Sequence, residues 1–229
     1  MHDDDNWNLD PPPRFQGFRD DLPLTVYMRN LPHWRQQGAT YFITFRLADS
    51  IPCEHLEYLS RLRADWFARN PSPHSKQALE ELSRLLSKRM EYWLDQGMGS
   101  CVLINEPISQ MVHESLQHFH GIRYELGASV VMSNHVHCII RPLETASLEL
   151  EYMLGSCKAF TAKRINRILG QSGAVWQQES YDRIIRDAKH LWQCLQYIGK
   201  NPLKAGRTRE SCRLWVNPDW MKLGWRIDG

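Results

Sequence analysis

The chain has 229 residues, of which 28 are lysine or arginine and 26 are aspartate or glutamate. Hydrophobic residues make up 42% and charged residues 24%, which is the composition of a globular chain long enough to bury its own core. These values exclude general disorder, and no apolar run is long enough to cross a membrane. The N-terminus, MHDDDNWNLDPPP, is acidic and unlike a secretory signal, so we expect a cytoplasmic protein.

The six cysteines are widely spaced and include no Cys-x-x-Cys pair. This pattern predicts neither a disulfide framework nor a cysteine zinc site. We therefore expect reduced thiols, most of them buried, at Cys53, Cys101, Cys138, Cys157, Cys194 and Cys212.

Positive charge is concentrated between residues 158 and 213. This segment holds twelve lysines and arginines but only four acidic residues, whereas the rest of the chain has an acidic excess. A basic surface on an otherwise acidic protein attracts phosphates, as nucleic-acid-binding proteins do. A solvated helical surface with internal ion pairs would give the same count, so charge alone leaves both interpretations open.

The first predicted elements lie in the N-terminal half. Residues 1–23 lack hydrophobic periodicity and are expected to form a disordered or draped arm. Alternating aromatic and β-branched residues predict a strand over 40–47. Leucine- and charge-rich segments predict two helices, 53–69 and 75–96, within an insertion that spans 50–98.

The second half of the chain repeats this alternation of strands and helices. Capping residues, turn residues and apolar spacing set the expected boundaries. The predicted elements are a helix starting at Asn105-Glu106-Pro107, strands over 122–132 and 135–141, a helix over 148–168, a strand within 175–186, and a helix capped by Asp187 and ended by Pro202.

The resulting order, β-α-β-β-α-β-α, predicts an α+β fold of the ferredoxin-like split βαβ type. We expect an antiparallel sheet of four to five strands with helices on one face, plus the helical insertion and a C-terminal helix. The domain is predicted to span 24–207, followed by a tail over 208–229. The second face of the sheet is expected to stay open and to hold single-stranded nucleic acid.

The strongest local motif is His135-Val136-His137. In a strand, residues two apart share one face, so both imidazoles point the same way while Val136 faces the helices. Two imidazoles on an open face can hold a divalent cation. Polar surface or hydrogen-bonded core histidines would show the same pattern.

Tyr197 and Asn201 lie four residues apart and therefore share one face of the last predicted helix. A tyrosine hydroxyl can serve as a nucleophile, and an amide oxygen can serve as a hard metal ligand. An amphipathic interface position would explain Tyr197 equally well. Tyr181 is a rival nucleophile without a helical amide partner, and with Trp176 it is a candidate for stacking on bases or for the core.

Four segments, VVMSNHVHCII, SCKAFTAKRINRILG, VWQQESYDRIIRD and YIGKNPLKAG, resemble the REP-associated tyrosine transposases, which carry a His-hydrophobe-His motif and one nucleophilic tyrosine. The resemblance runs from about Pro32 to Gly206 and includes the insertion. It implies a metal-dependent transposase or endonuclease that cleaves and rejoins single-stranded DNA at REP-like hairpins through a 5′-phosphotyrosine. Ser133, where proline is common, and Gly199-Lys200, where larger residues are usual, depart from the family pattern.

The resemblance also implies roles for individual residues. His135 and His137 would bind Mg²⁺ or Mn²⁺, Asn201 would complete the metal site, and Tyr197 would be the nucleophile. The implied partner is hairpin DNA in the nucleoid, bound by a monomer or homodimer. The implied DNA contacts are Lys158, Lys163, Arg164, Arg183, Arg186 and Lys204.

Two other functions remain open. A metal-dependent phosphodiesterase could activate water at the His-x-His cation, with Tyr197 only positioning the substrate. A non-catalytic module of the same topology could use the histidines to contact phosphate or RNA. A two-histidine iron oxygenase is disfavoured, because it needs a carboxylate ligand and usually a barrel with more strands.

Overall fold

The computed structural model describes residues 9–143 and 150–228. Within these ranges one large antiparallel sheet and a two-stranded hairpin combine with six α-helices. The strands are β1 (Thr25–Met28), β2 (Pro32–Arg35), β3 (Tyr41–Arg46), β4 (Tyr124–Val131), β5 (His135–Pro142), β6 (Tyr181–Ile184) and β7 (Arg213–Val216). The helices are α1 (Cys53–Arg69), α2 (Lys76–Asp95), α3 (Glu106–Gln117), α4 (Leu150–Leu169), α5 (Ala188–Lys204) and α6 (Pro218–Lys222).

The large sheet has the strand order β6-β3-β5-β4-β7, and each pairing is antiparallel. Helix α3 lies between β3 and β4, and α4 lies between β5 and β6, so β3, β4, β5 and β6 form the predicted split βαβ arrangement. The predicted fold class is confirmed. The predicted start of α4 at residue 148 lies outside the described residues.

One face of the sheet packs against α3 and α4, as predicted. Ile43 and Phe45 of β3 and Val136 and Cys138 of β5 point into this core. They alternate along each strand with residues that point to the other face. Helix α3 begins at Asn105, whose side-chain oxygen accepts a hydrogen bond from the amide of Ile108 at 3.3 Å.

The second face of the sheet is covered, so the expectation of an open face is wrong. Phe42 and Ile139 on this face pack against α5 and against Trp220 and Trp225 near the C-terminus. The segment 208–229, expected to be a tail, supplies β7, which pairs with β4, and α6. Short elements such as these lack the length over which periodicity can be detected.

The N-terminal segment is draped over the domain wherever the structure describes it. The amide of Phe18 donates to the carbonyl of Ile185, and the amide of Thr40 donates to the carbonyl of Gln16. Phe15 packs against the core beneath α5. These contacts tie the arm to the sheet near β6.

The helical insertion forms as predicted and docks onto the edge of the sheet. Leu82 and Leu86 of α2 are buried with Tyr181 of β6, and Leu59 of α1 packs against them. Helix α2 begins at Ser75, whose hydroxyl accepts a hydrogen bond from the amide of Ala78 at 3.1 Å. This docking places one face of α2 near the second face of the sheet.

Hairpin β1–β2, which the sequence did not predict, is joined to β6 by buried charges. His33 on β2 donates from Nδ1 to Asp182 and from Nε2 to Glu179, each at 2.8 Å. Arg35 contacts Asp182 and also Glu151 of α4. Burial lowers the pKa of His33, but the hydrogen bonds to both carboxylates outweigh it and raise the pKa to about 9.

His33 should therefore make the free energy of unfolding depend on pH. Its folded pKa lies above the ordinary value of 6.5, so its contribution is complete below about pH 6.5 and is lost as pH rises through about 9. We expect the free energy of unfolding, measured in urea, to fall by up to about 3 kcal/mol as the pH rises over this range. His33→Asn should make the free energy of unfolding depend less steeply on pH. An unchanged pH dependence in that variant would contradict the role assigned to His33.

Candidate functional site

The two histidines of the His-x-His motif lie on β5 and point toward α5. His137 is paired with Thr44 of β3, and His135 is paired with Arg46. Each histidine is only 1% exposed, because α5 and its neighbours cover this face. The pair therefore occupies an enclosed position beneath α5, not the open surface that the sequence predicted.

Hydrogen bonds at the Nδ1 atom of each ring fix the orientation of the imidazoles. Asn134 donates from Nδ2 to the carbonyl of Met98, which directs its side-chain oxygen toward His135. His135 donates from Nδ1 to that oxygen at 2.8 Å, so Nε2 of His135 carries the lone pair. Nδ1 of His137 lies 2.7 Å from the Thr44 hydroxyl. The two remaining nitrogens, Nε2 of both rings, lie 3.0 Å apart.

Asn201 of α5 brings an amide to the same point. Its Nδ2 lies 3.2 Å from Nε2 of His137, and its Oδ1 is buried without a hydrogen-bond partner among the described residues. A 180° rotation of the Asn201 side-chain amide exchanges its Oδ1 and Nδ2 atoms with almost no change in shape. It would place an oxygen beside the two imidazole nitrogens. Neighbouring ligands about 3 Å apart suit an octahedral cation with bonds of about 2.1 Å.

Both imidazoles are held neutral. Burial lowers the pKa of His135 to about 4, and it lowers the pKa of His137 well below its ordinary value. For His137 the positive charges of Arg183 and Lys204 act in the same direction. A neutral imidazole is the form that binds a metal, so the site needs no deprotonation before it can accept a cation.

Across the described residues, no group of three histidine, cysteine, aspartate or glutamate side chains could hold a metal ion. A cation beside His135 and His137 would therefore depend on the Asn201 oxygen. The unpartnered Oδ1 of Asn201 and the Nε2 atoms of the two neutral imidazoles form a donor set that fits a hard divalent cation.

Tyr197 lies one helical turn before Asn201 and packs against His137. Its ring centroid is 5.2 Å from that of His137, and the Lys204 amino group lies 4.3 Å from the Tyr197 ring centroid. Burial raises the pKa of Tyr197 above its ordinary value, and the negative charges of Glu91 and Asp95 raise it further. The phenol is therefore protonated at neutral pH and needs a base before it can act as a nucleophile.

Glu91 and Asp95 come from α2 and were missed by the sequence analysis. Glu91 lies close enough to Tyr197 for the two to shift each other's pKa: burial raises the pKa of Glu91 above its ordinary value, and the Tyr197 hydroxyl lowers it. The two acids stand four residues apart and share one face of α2, which is the same spacing as that of Tyr197 and Asn201. This spacing was the available signal, but α2 is rich in charged residues, and only its docking identifies which ones face the site.

Helix α5 is held from behind by the C-terminal segment. Gln196 donates to the carbonyl of Arg226 at 2.7 Å and accepts from the amide of Asp228 at 2.9 Å. Gly199 meets Ile227 so closely that an added Cβ would lie 2.0 Å from the Ile227 side chain. This contact leaves no room for a larger side chain at position 199.

Three of the six predicted DNA contacts lie away from the site. Lys158 is buried, and its amino group donates to the Gln178 carbonyl at 2.8 Å and to the Ser180 hydroxyl at 3.1 Å. Its amino group is therefore occupied inside the protein, unlike the exposed contact that the sequence predicted. Lys163 and Arg164 are exposed on α4, which packs on the opposite face of the sheet from the histidines.

The other three lie on the side of the sheet that carries the histidines. Arg183 and Arg186 line a groove of about 830 Å³ between β6 and α2, and Lys204 lies over Tyr197. Glu91 also lines this groove. Helix α2 contributes both basic and acidic side chains to the groove. The basic ones are Lys76, Arg84 and Lys88, and the acidic ones are Glu80, Glu81 and Glu91.

The two aromatic candidates for base stacking are core residues. Trp176 is buried beneath α4, and its indole nitrogen donates to the Thr161 hydroxyl at 2.9 Å. Tyr181 is buried against α2 in the insertion core. Trp176 is 7% exposed and Tyr181 is 8% exposed, and Tyr181 also lines the groove beside α2.

No family model matches the chain, and no curated protein matches it. Among solved structures, the chain is similar to a REP-associated tyrosine transposase bound to a REP hairpin, at 19% identity and a TM-score of 0.43. The match covers 81% of this chain and 76% of that chain. A likeness at this level transfers no function by itself. In the described residues, no helix is both long enough and apolar enough to cross a membrane.

Proposed function

We propose that the protein is a metal-dependent transposase or endonuclease that cleaves and rejoins single-stranded DNA at hairpins through a phosphotyrosine. The observation that carries this proposal is the contact between the Tyr197 ring and His137, within a cluster that also brings Asn201 and His135 together. A nucleophile, a base and a neutral set of metal donors thus meet at one point. The motifs that resemble REP-associated transposases contain the same four residues.

Mg²⁺ or Mn²⁺ would be held by His135, His137 and Asn201. A bound cation would polarise a phosphate and would stabilise the negative charge that develops on the leaving oxygen. The donor set contributes no negative charge, so the site stays attractive to DNA.

The protein's own groups carry the covalent step. Tyr197 attacks the phosphorus atom while Glu91 accepts the phenolic proton. A bond forms from the tyrosine oxygen to the 5′-phosphate as the bond to the 3′-oxygen breaks, and solvent protonates that oxygen. The 3′-hydroxyl can later attack the phosphotyrosine and reverse the exchange, so rejoining needs no ATP. Lys204 and Arg183 place positive charge beside the phenol.

Tyr197→Phe should abolish the covalent adduct while leaving DNA binding intact, because it removes only the nucleophilic oxygen. The substrate is a labelled REP-like hairpin with randomised single-stranded flanks, incubated with Mn²⁺ and resolved on a denaturing gel. Tyr181→Phe is the matched control and should retain the adduct. Scission that persists in Tyr197→Phe would favour a water-using nuclease, and binding without any scission would favour a non-catalytic module.

Thr44→Val should weaken Mn²⁺ binding about 10- to 100-fold, because the Thr44 hydroxyl orients a metal-binding imidazole. Thr40→Val is the control, since the Thr40 hydroxyl is buried without a partner in the described residues. Electron paramagnetic resonance of free Mn²⁺ measures both affinities without any DNA. Equal affinities in the two variants would show that the Thr44 contact plays no part in metal binding.

Glu91→Gln should slow adduct formation about 10²- to 10⁴-fold, because it removes the proton acceptor for Tyr197. Burial raises the pKa of Glu91, so the wild-type rate should fall as pH drops through that raised value, and the variant should lose this fall. Glu80→Gln, which changes the same helix at the same groove, should behave as wild type. Single-turnover rates against pH distinguish this role from DNA binding, and an unchanged rate would overturn it.

A further inference from the structure

A cavity of about 210 Å³ lies between the insertion helices and the sheet face that carries the histidines. Its walls include the apolar side chains of Leu56 and Leu59 from α1 and of Leu86 and Met90 from α2. Thr44, whose hydroxyl contacts His137, also lines it, so the cavity opens beside the candidate metal site. A cavity of about 150 Å³ is large enough for benzene, so this one has room for a flat ring system of nucleobase size.

Arg46 is a buried charged residue of the cavity: burial lowers its pKa, and the carboxylate of Glu179, which also lines the cavity, raises it. Arg46 is 8% exposed and donates from Nη1 to the Leu47 carbonyl and the Ser50 hydroxyl, each at 3.2 Å. It forms no salt bridge with any carboxylate in the ranges that the structure describes. A buried cation without a directly paired carboxylate is only partly compensated, which favours a ligand that presents acceptors to it.

The position of Arg46 relates the cavity to the reaction. It is the β3 residue paired with His135, on the same sheet face as Thr44. A DNA strand whose phosphate lies at the histidines would have a neighbouring nucleotide at the mouth of this cavity. The nature of the walls then selects the part of the nucleotide that enters: leucine and methionine side chains suit the faces of a base and do not suit a phosphate.

We propose that this cavity binds an extruded guanine next to the scissile phosphate, with Arg46 donating to guanine O6 and N7. These two acceptors lie side by side on one edge of guanine and match the fork of an arginine. Adenine presents a donor at the position of O6, and pyrimidines lack N7. The proposal rests on the proposed function, because it assumes that a single strand crosses the site.

The probe is a strand of twelve thymidines with one central position changed to guanine, adenine, 7-deazaguanine or an abasic site. Binding is measured by fluorescence anisotropy in EDTA, so that neither metal nor cleavage contributes. Wild-type protein should bind the guanine strand about tenfold more tightly than each of the others, which is the discrimination expected of a bidentate arginine contact. Equal binding of guanine and 7-deazaguanine would overturn the Arg46 contact.

Arg46→Met should remove the guanine preference, and Arg61→Met on the exposed side of α1 should retain it. Ser60→Phe places a ring in the cavity from an exposed position, and it should remove the preference even if Arg46→Met fails to fold. A preference that survives in Ser60→Phe would contradict the cavity as the binding site. Adduct formation by Tyr197 without any guanine preference would reject this inference alone, whereas guanine preference without an adduct would reject only the proposed reaction.

Discussion

The candidate site depends on the burial of two neutral imidazoles between β5 and α5. Contacts at Nδ1 fix the orientation of each ring, with Asn134 for His135 and with Thr44 for His137. The Nε2 atoms of both rings therefore face one point. Asn201 reaches this point because α5 lies flat on the second face of the sheet. Without that cover the rings would be hydrated and protonatable, and they would lose the fixed geometry that suits a cation.

Much of the fold could be predicted because its long elements have clear periodicity and caps. The alternation along β5 placed Val136 in one core and the histidines on the opposite face. Asn105 and Asp187 begin helices where their side chains accept from backbone amides. In contrast, β7 has four residues and α6 has five, so neither carries enough repeats to be recognised. The closed second face was missed because periodicity predicts helix α5 but not the sheet face on which it packs.

The candidate site was predicted only in part, since sequence spacing reports neighbours on one element and not contacts between elements. The pairs His135–His137 and Tyr197–Asn201 each lie on one element, and the structure brings the four together. Glu91 reaches Tyr197 only through the docking of α2. Lys158 was predicted to contact DNA but is buried, because a charge count does not distinguish a buried amino group from an exposed one.

Helix α5 carries both the Tyr197 phenol and the Asn201 amide. The C-terminal segment packs against this helix at Gly199 and hydrogen-bonds it at Gln196. The two groups project from consecutive turns and cannot shift independently. A displacement of this helix would move the Tyr197 phenol and the Asn201 amide away from the two histidines together. Under the proposed function, a molecule with α5 displaced would lack the nucleophile and the third metal ligand at the same time, so it would not cut DNA with only one of the two in place.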